Sequence, residues 1–582
     1  MKTNIISVLF FLCVNFSLSF ADIFLAKEWR FNKGDNLKWL ELKFNDKNWQ
    51  NIEIKKIWED AGFPNYDGYG WYRIKVNIPS ELKEDPYVIN KKYLILYLGA
   101  IDDVDETFFN GRLIGKTGEF PPSYETKWAE ERFYKIPVDI IKWDKDNVIA
   151  VRVYDGGGGG GLYKGTPKIH VPVWNDLVLL KPDLGDNKDG TFSYGTPMVL
   201  SCFISNDSLD DINGKFLCII RDETNNLLIS MTNFITVIKT KSTNIIFQYL
   251  PSKPGLYNVS FKLKTEDNKQ KIFSMYYGYG LDHIDSQLTR EKDFKIFWDK
   301  TRLELSKISP KFNVIEKPEL SVKGVKVYLV EMKSLDDVLI RGWYSVPESG
   351  GPFPAILQLP GHSVSLSPVT WFTDFAVLAL NIRGHGNSKD SVNPGFPGYL
   401  VYGLENEYKY IYRGAYMDCI RGVDFLVSRK EVDPKRIAVE GASQGGALCF
   451  VTAALDPRIT LCAPDVPFLS DFKTYFKITG WPGFEFKNYL KSHPEFSEEK
   501  MYRVLSYFDI MNLAPWIKCP VFMSVGLQDR VCPPTINFAA FNKVTSKKEV
   551  RVYPFAQHEG GGEIHWKQKF EWIRKNFGMS KE

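Results

Sequence analysis

The stretch Arg436-Ile-Ala-Val-Glu440-Gly441-Ala-Ser443-Gln444-Gly445 carries a short apolar run straight into a glycine-flanked serine. Small residues two before and two after Ser443 let a strand and a following helix approach closely. The strained turn between them pushes the hydroxyl outward, where a nucleophile belongs. The five-residue pattern alone is weak evidence, because with Gly and Ser each at about 7% of residues a chain of this length contains G-x-S-x-G by chance about 0.2 times. The weight falls on what surrounds it.

Short apolar runs bounded by turns recur at 354–359, 375–381, 436–440, 521–525 and 549–553. Helical patterns alternate with them, beginning with an amphipathic one over 293–308 that carries Phe294, Phe297, Trp298, Leu303 and Leu305. This alternation predicts an α/β domain over 281–582 with a mostly parallel sheet covered on both faces. In an α/β-hydrolase the nucleophile, the acid and the base follow in the order Ser, Asp or Glu, His. Three histidines follow Ser443. His493 sits in a polar helical stretch with no strand leading to it, and His565 falls where the last helix begins. His558 comes directly after the run 549–553, in the loop where a base belongs. Asp529 closes the run that starts at Val521, whereas Asp509 precedes that strand and emerges on the other side of the sheet. Any Asp can cap a turn and any His can be a satisfied surface residue, but three fitting residue types at three successive strand ends make coincidence a poor explanation. In this reading His558 takes the proton of Ser443, Asp529 holds the imidazole tautomer, and backbone amides bind the oxyanion. One amide is that of Gln444, and the other comes from the loop Pro360-Gly361-His362-Ser363.

The region 22–174 reads differently. Runs such as 72–78, 93–98 and 147–154 alternate with turn signals and no long helix, and Asn110-Gly111 between apolar runs is a strong hairpin signal. Eight of the fifteen tryptophans fall here, most of them core and some candidates for stacking on sugar. Gly156 to Gly161 reads either as a flexible surface loop or as bare backbone laid against a sugar or the catalytic domain. From 175 to 280, runs at 198–204, 216–220, 244–249 and 255–262 have the spacing of a small immunoglobulin-like sandwich, a spacer with no evident chemistry. The expected fold is therefore multidomain, with two all-β domains followed by an α/β-hydrolase.

Met1-Lys2-Thr3 precedes an apolar stretch that Asn15, Ser17 and Ser19 interrupt and that ends in Ser19-Phe20-Ala21, the pattern of a secretory signal peptide over 1–21 rather than of a retained anchor. A secreted or periplasmic chain without a membrane span is expected. Cys13 leaves with that peptide. The other seven cysteines show no metal-type spacing, and only Cys202 and Cys218, on neighbouring strand-like runs, are placed for pairing; two unpaired core thiols are at least as good a reading. The net charge of +4 is spread without basic tracts, so nothing points to nucleic acid or an anionic membrane as a partner, and none is expected.

The order Asp46-Lys47-Asn48-Trp49, Tyr66-Asp-Gly-Tyr-Gly-Trp71-Tyr72-Arg73 and Asp102-Asp-Val-Asp105-Glu-Thr-Phe-Phe-Asn110-Gly111 resembles the N-terminal jelly-roll domain of glycoside hydrolase family two, over most of 22–174. The C-terminal domain resembles carbohydrate esterase family seven, the acetylxylan esterases and cephalosporin C deacetylases. The resemblance is carried by Phe297-Trp298, Ile340-Arg-Gly-Trp-Tyr-Ser-Val-Pro347, Tyr412-Arg413-Gly414-Ala-Tyr416-Met-Asp418, Gly441-Ala-Ser443-Gln444-Gly445-Gly446 and His558-Glu559. It implies a triad of Ser443, Asp529 and His558, an oxyanion hole formed by the amides of His362 and Gln444, no metal or organic cofactor, and a homo-oligomer. Two positions depart from the family pattern. Arg383-Gly384-His385 stands for Arg-Gly-Gln and reads as structural, and His362 stands where a Tyr is usual and alters the pocket wall. The function expected is a serine esterase that removes O-acetyl groups from xylan-type glycans through an acyl-enzyme. Two other readings are a peptidase or longer-acyl esterase on the same scaffold, and a carbohydrate-binding protein with an inactive hydrolase domain.

Overall fold

The computed structural model describes residues 22–579 except 65 and 123, so the expected signal peptide lies outside the described residues. The chain divides into two compact units. The first runs through Leu179 and includes Ser205–Ile212 and Val237–Ser242; the second takes Leu180–Ile204, Asn213–Thr236 and everything from Thr243 onward.

In the first unit a six-stranded antiparallel sheet and a five-stranded one close over a shared apolar core of Trp29, Phe31, Trp58, Tyr72, Leu94, Leu96 and Ile149. The strands Gly68–Asn77 and Asp146–Asp155 pair over their full length, and the alternation of buried and solvated side chains along them matches the period of two. Asn110 and Gly111 both take positive φ, 51° and 85°, and turn Val104–Phe109 back onto Arg112–Thr117 as the Asn-Gly signal predicts. Most tryptophans of this unit are core: Trp29, Trp58 and Trp71 are fully buried, whereas Trp128, at 47% exposure, is open to solvent.

The region 178–279 forms a three-stranded and a five-stranded sheet, with Cys202, Phe216, Cys218, Phe261 and Tyr277 buried among their strands. Cys202 and Cys218 are both free thiols, as are the other five described cysteines.

From Phe294–Ser306, the helix the periodicity predicts, the chain enters a nine-stranded sheet. Its first three strands are antiparallel (Asn313–Glu316, Val325–Lys333, Leu339–Pro347), and the other six run parallel to one another (Ala376–Asn381, Phe353–Gln358, Val432–Ala442, Leu461–Asp465, Val521–Gly526, Lys548–Tyr553). The inner parallel strands are buried on both sides, Ala376–Asn381 and Val521–Gly526 at every residue, and helices Ile411–Val427 and Gln444–Leu455 are almost wholly buried against them, whereas Lys548–Tyr553, expected to be covered on both faces, is the edge strand and only half-buried. Leu461–Asp465 lies between the serine's strand and that of Asp529, so the three nominated residues do not follow three successive strands. Five residues with a Pro in fourth place give too short a run to read as a strand; burial between two neighbours makes it one.

Candidate active site

Ser443 joins the strand Val432–Ala442 to the helix Gln444–Leu455 with φ 59° and ψ −118°, a conformation non-glycine residues rarely adopt. The turn can be this sharp because the helix start lies on the loop after the neighbouring strand. A Cβ at Gly445 would stand 2.3 Å from the carbonyl oxygen of Leu359. The Ser443 amide is tied to Asp465 O at 2.9 Å, and its carbonyl accepts from the amide of Phe468 at 3.0 Å. The corner is thus held by backbone alone.

Asp529 is fully buried beyond the end of Val521–Gly526. Its Oδ1 accepts from the amides of Val531 at 2.7 Å and Cys532 at 2.9 Å, which leaves Oδ2 aimed at His558 Nδ1, 2.8 Å away. That geometry puts a proton on Nδ1 and leaves Nε2 as the acceptor. His558 lies in the loop after Lys548–Tyr553 and is 35% exposed. The Ser443 hydroxyl is turned to Cys532, 3.9 Å from its Sγ, and among the described residues it makes no hydrogen bond to His558.

The rival candidates are accounted for elsewhere. Asp509 caps the helix Ile510–Leu513 and accepts from three amides; burial, and then the charge of Asp471, push it up to about 7. His565 is buried within the last helix, 3.0 Å from Asp465, and His493 stacks on Tyr489.

The helix start leaves the Gln444 amide without an intrahelical acceptor, and among the described residues the His362 amide has none either. The Gln444 side chain is fully buried and held on every side. Its Oε1 accepts from Tyr412 OH at 2.7 Å and faces His362 Nδ1 at 3.5 Å, and its Nε2 donates to His385 Nε2 at 3.0 Å. Burial drives His385 down to about 4, in keeping with a neutral ring that accepts at Nε2 and donates from Nδ1 to Arg383 O. Burial likewise lowers the value of His362, whose ring packs on Phe396, Trp481 and Tyr399. Arg383 is structural, as expected, with its guanidinium and its own amide bound to buried Asp418. Sequence reasoning passed over Cys532, Phe396 and Trp481. Nothing in their spacing points to the site, whereas Tyr412 and His385 stood inside motifs already singled out.

A strained serine corner, an Asp–His pair at later strand ends and free amides beside the serine form the arrangement of a serine hydrolase. A family model described as acetyl xylan esterase (AXE1) matches residues 280–576, half of the chain. The chain belongs to the acetyl xylan esterase family. It is a carboxylic-ester hydrolase with a mostly stranded N-terminal region ahead of an α/β-hydrolase domain. The acetyl esterase Axe7A of Xylanibacter ruminicola is 31% identical over 341 residues, covering 56% of this chain and 75% of that one. The acetyl xylan esterase of Paenibacillus sp. R4 is 34% identical, covering 51% of this chain and 98% of that one, with a TM-score of 0.47. Bacteroides uniformis β-glucuronidase 2 is 13% identical, covering 96% of this chain and 58% of that one, with a TM-score of 0.32. No helix among the described residues is long and apolar enough to cross a membrane.

Proposed function

We propose that this esterase removes O-acetyl groups from xylan-type poly- or oligosaccharides, with Ser443 as nucleophile, His558 as general base and acid, and Asp529 as the carboxylate that fixes the imidazole. The 2.8 Å contact between Asp529 Oδ2 and His558 Nδ1, made by a carboxylate whose other oxygen is already held by two amides, carries this reading. On substrate binding the Ser443 hydroxyl turns from Cys532 to His558 Nε2, since catalytic hydrogen bonds commonly close only in the complex. The hydroxyl attacks the acetyl carbonyl as its proton passes to His558. The amides of Gln444 and His362 receive the oxyanion, aided by the dipole of the helix Gln444–Leu455. His558 then protonates the departing sugar oxygen, and water attacks the acetyl-enzyme by the same route in reverse.

The ring of His362, packed against Phe396 and Trp481, supports a small acyl group: it sets bulky, rigid walls beside one of the proposed oxyanion donors. We read 22–174 as a jelly-roll and 175–280 as an immunoglobulin-like sandwich, and 1–21 as a signal peptide that delivers the enzyme to the periplasm or outside the cell. Within the jelly-roll, exposed Trp128 beside Tyr163 is the surface best suited to stack on a sugar ring. Rates on aryl esters of increasing acyl length test the acyl assignment. The expected result is a preference for acetate with collapse at butyrate and beyond; equal or better rates on long chains would sink it.

A further inference from the structure

Glu59, Asp67 and Asp155 each bring a carboxylate oxygen to within 4.8 Å of the other two. None of them forms an ion pair among the described residues, and Glu59 Oε1 and Asp155 Oδ2 are buried without a hydrogen-bond partner. Asp155 is fully buried. A buried carboxylate oxygen left without a partner is costly unless a cation compensates it, and two in one place cost more. The glycine run accounts for how they are aimed. The Gly157 amide donates to Asp155 Oδ1 at 2.9 Å and the Gly160 amide to Glu59 Oε2 at 3.3 Å, so each carboxylate is anchored by one oxygen and presents the other to the gap. The backbone comes in so close that a Cβ at Gly160 would meet Asp155 Oδ2 at 2.7 Å. The run is therefore a cradle, closed on Trp58 through the bond from its amide to Gly160 O.

We propose that Glu59, Asp67 and Asp155 bind a calcium ion beneath the glycine loop of the first unit. Calcium accepts carboxylate oxygens in a flexible geometry, which suits three side chains from separate segments, whereas magnesium demands a near-ideal octahedron. The donor set is all oxygen, and exposed Asp67 leaves the outer positions to water. The ion would tie the end of the strand Asp146–Asp155 to the segments carrying Glu59 and Asp67, making this unit's stability depend on calcium. The test is calorimetric titration of the EDTA-stripped full chain with calcium chloride and, separately, magnesium chloride, alongside thermal melts. One calcium per chain with a Kd in the micromolar to millimolar range, and a melting temperature raised by calcium, are expected. Both responses should vanish in Asp155→Asn and weaken at least tenfold in Asp67→Asn, a surface change the fold tolerates. Absence of calcium binding at millimolar concentration, tighter binding of magnesium, or unchanged calcium binding in both variants would overturn the assignment.

A second inference rests on the second unit and on the proposed triad. Gln528, next to Asp529, accepts from the Tyr276 amide at 2.9 Å and donates to Tyr276 O at 3.0 Å and Pro554 O at 2.6 Å. Arg530, on the other side of Asp529, lies 4.6 Å over the Tyr276 ring, and Thr535 donates to half-buried Glu223. The sandwich strand Gln270–Tyr279 thus grips the acid loop on both sides of the carboxylate, and we infer that it positions Asp529 against His558. Gln528→Ala is expected to cut kcat about tenfold and to move the acidic limb of the kcat/KM profile to lower pH, because a displaced carboxylate holds the imidazolium less well. Wild-type kcat with an unmoved limb would overturn the inference, as would lost activity with an unmoved limb and a lower melting temperature. If Asp529→Asn were active, the triad itself would fail.

Discussion

The serine corner and the acid loop reach one site by opposite means. Ser443 is fixed by backbone packed on backbone, the turn of its own strand and helix lying against the Leu359 carbonyl. Asp529 is fixed by polar contacts, two amides from its own loop and, on either side, the side chains of Gln528 and Arg530 that reach Tyr276 on the strand Gln270–Tyr279. The first device is rigid and steric and reads directly in the sequence as small residues. The second depends on a partner more than 250 positions away, and no local pattern announces it.

Substitutions separate these devices. Ser443→Ala removes the chemistry and leaves both intact, so kcat/KM on an aryl acetate should fall by about 10⁴-fold or more with an unchanged melting temperature. Asp529→Asn keeps the shape of the acid loop but loses the charge and the correct tautomer, and should cost about 10³ to 10⁴-fold in kcat. Gly445→Ala attacks the corner by sterics. With its Cβ 2.3 Å from a backbone oxygen, it should lower the unfolding free energy by about 2 to 4 kcal/mol, read as a lower urea midpoint at constant slope.

His385, behind the corner, gives a pH-dependent test. Its folded value of about 4 lies below the roughly 6.5 of an unfolded histidine. Its contribution is therefore complete above pH 6.5 and is lost as pH falls toward 4, where the unfolded chain takes up a proton the folded ring refuses. His385→Gln should flatten the fall in stability across that window, by up to about 3 kcal/mol. Cys532, between nucleophile and acid, should matter least. Burial raises its thiol well above the ordinary value, so Cys532→Ala should hold kcat/KM within about threefold, and iodoacetamide should leave the native enzyme active.

How much of this was legible follows from the same contrast. Four interior strands of the hydrolase domain stood out because continuous apolar runs between turns are what a sheet buried on both sides requires, and the run 549–553 proved to be the half-buried edge strand. Ser443, Asp529 and His558 were nominated by their place after such runs, and the structure brings Asp529 to His558 at hydrogen-bond distance. The strand Leu461–Asp465 escaped because five residues carry too little pattern. The glycine run was read as loop or contact surface, because what it cradles comes from Glu59 and Asp67, nearly a hundred residues earlier. The region 178–279 seemed to carry no chemistry because Tyr276 meets Gln528 through its backbone, which leaves no mark in a sequence, and because its ring and Glu223 meet Arg530 and Thr535 across more than 250 positions.

The most direct test of the central claim is release of acetate from acetylated xylan by the purified chain, with Ser443→Ala as the blank. Stoichiometric acetate from the wild type and none from the variant is the predicted result. No acetate from the wild type, or equal release from the two, would contradict it.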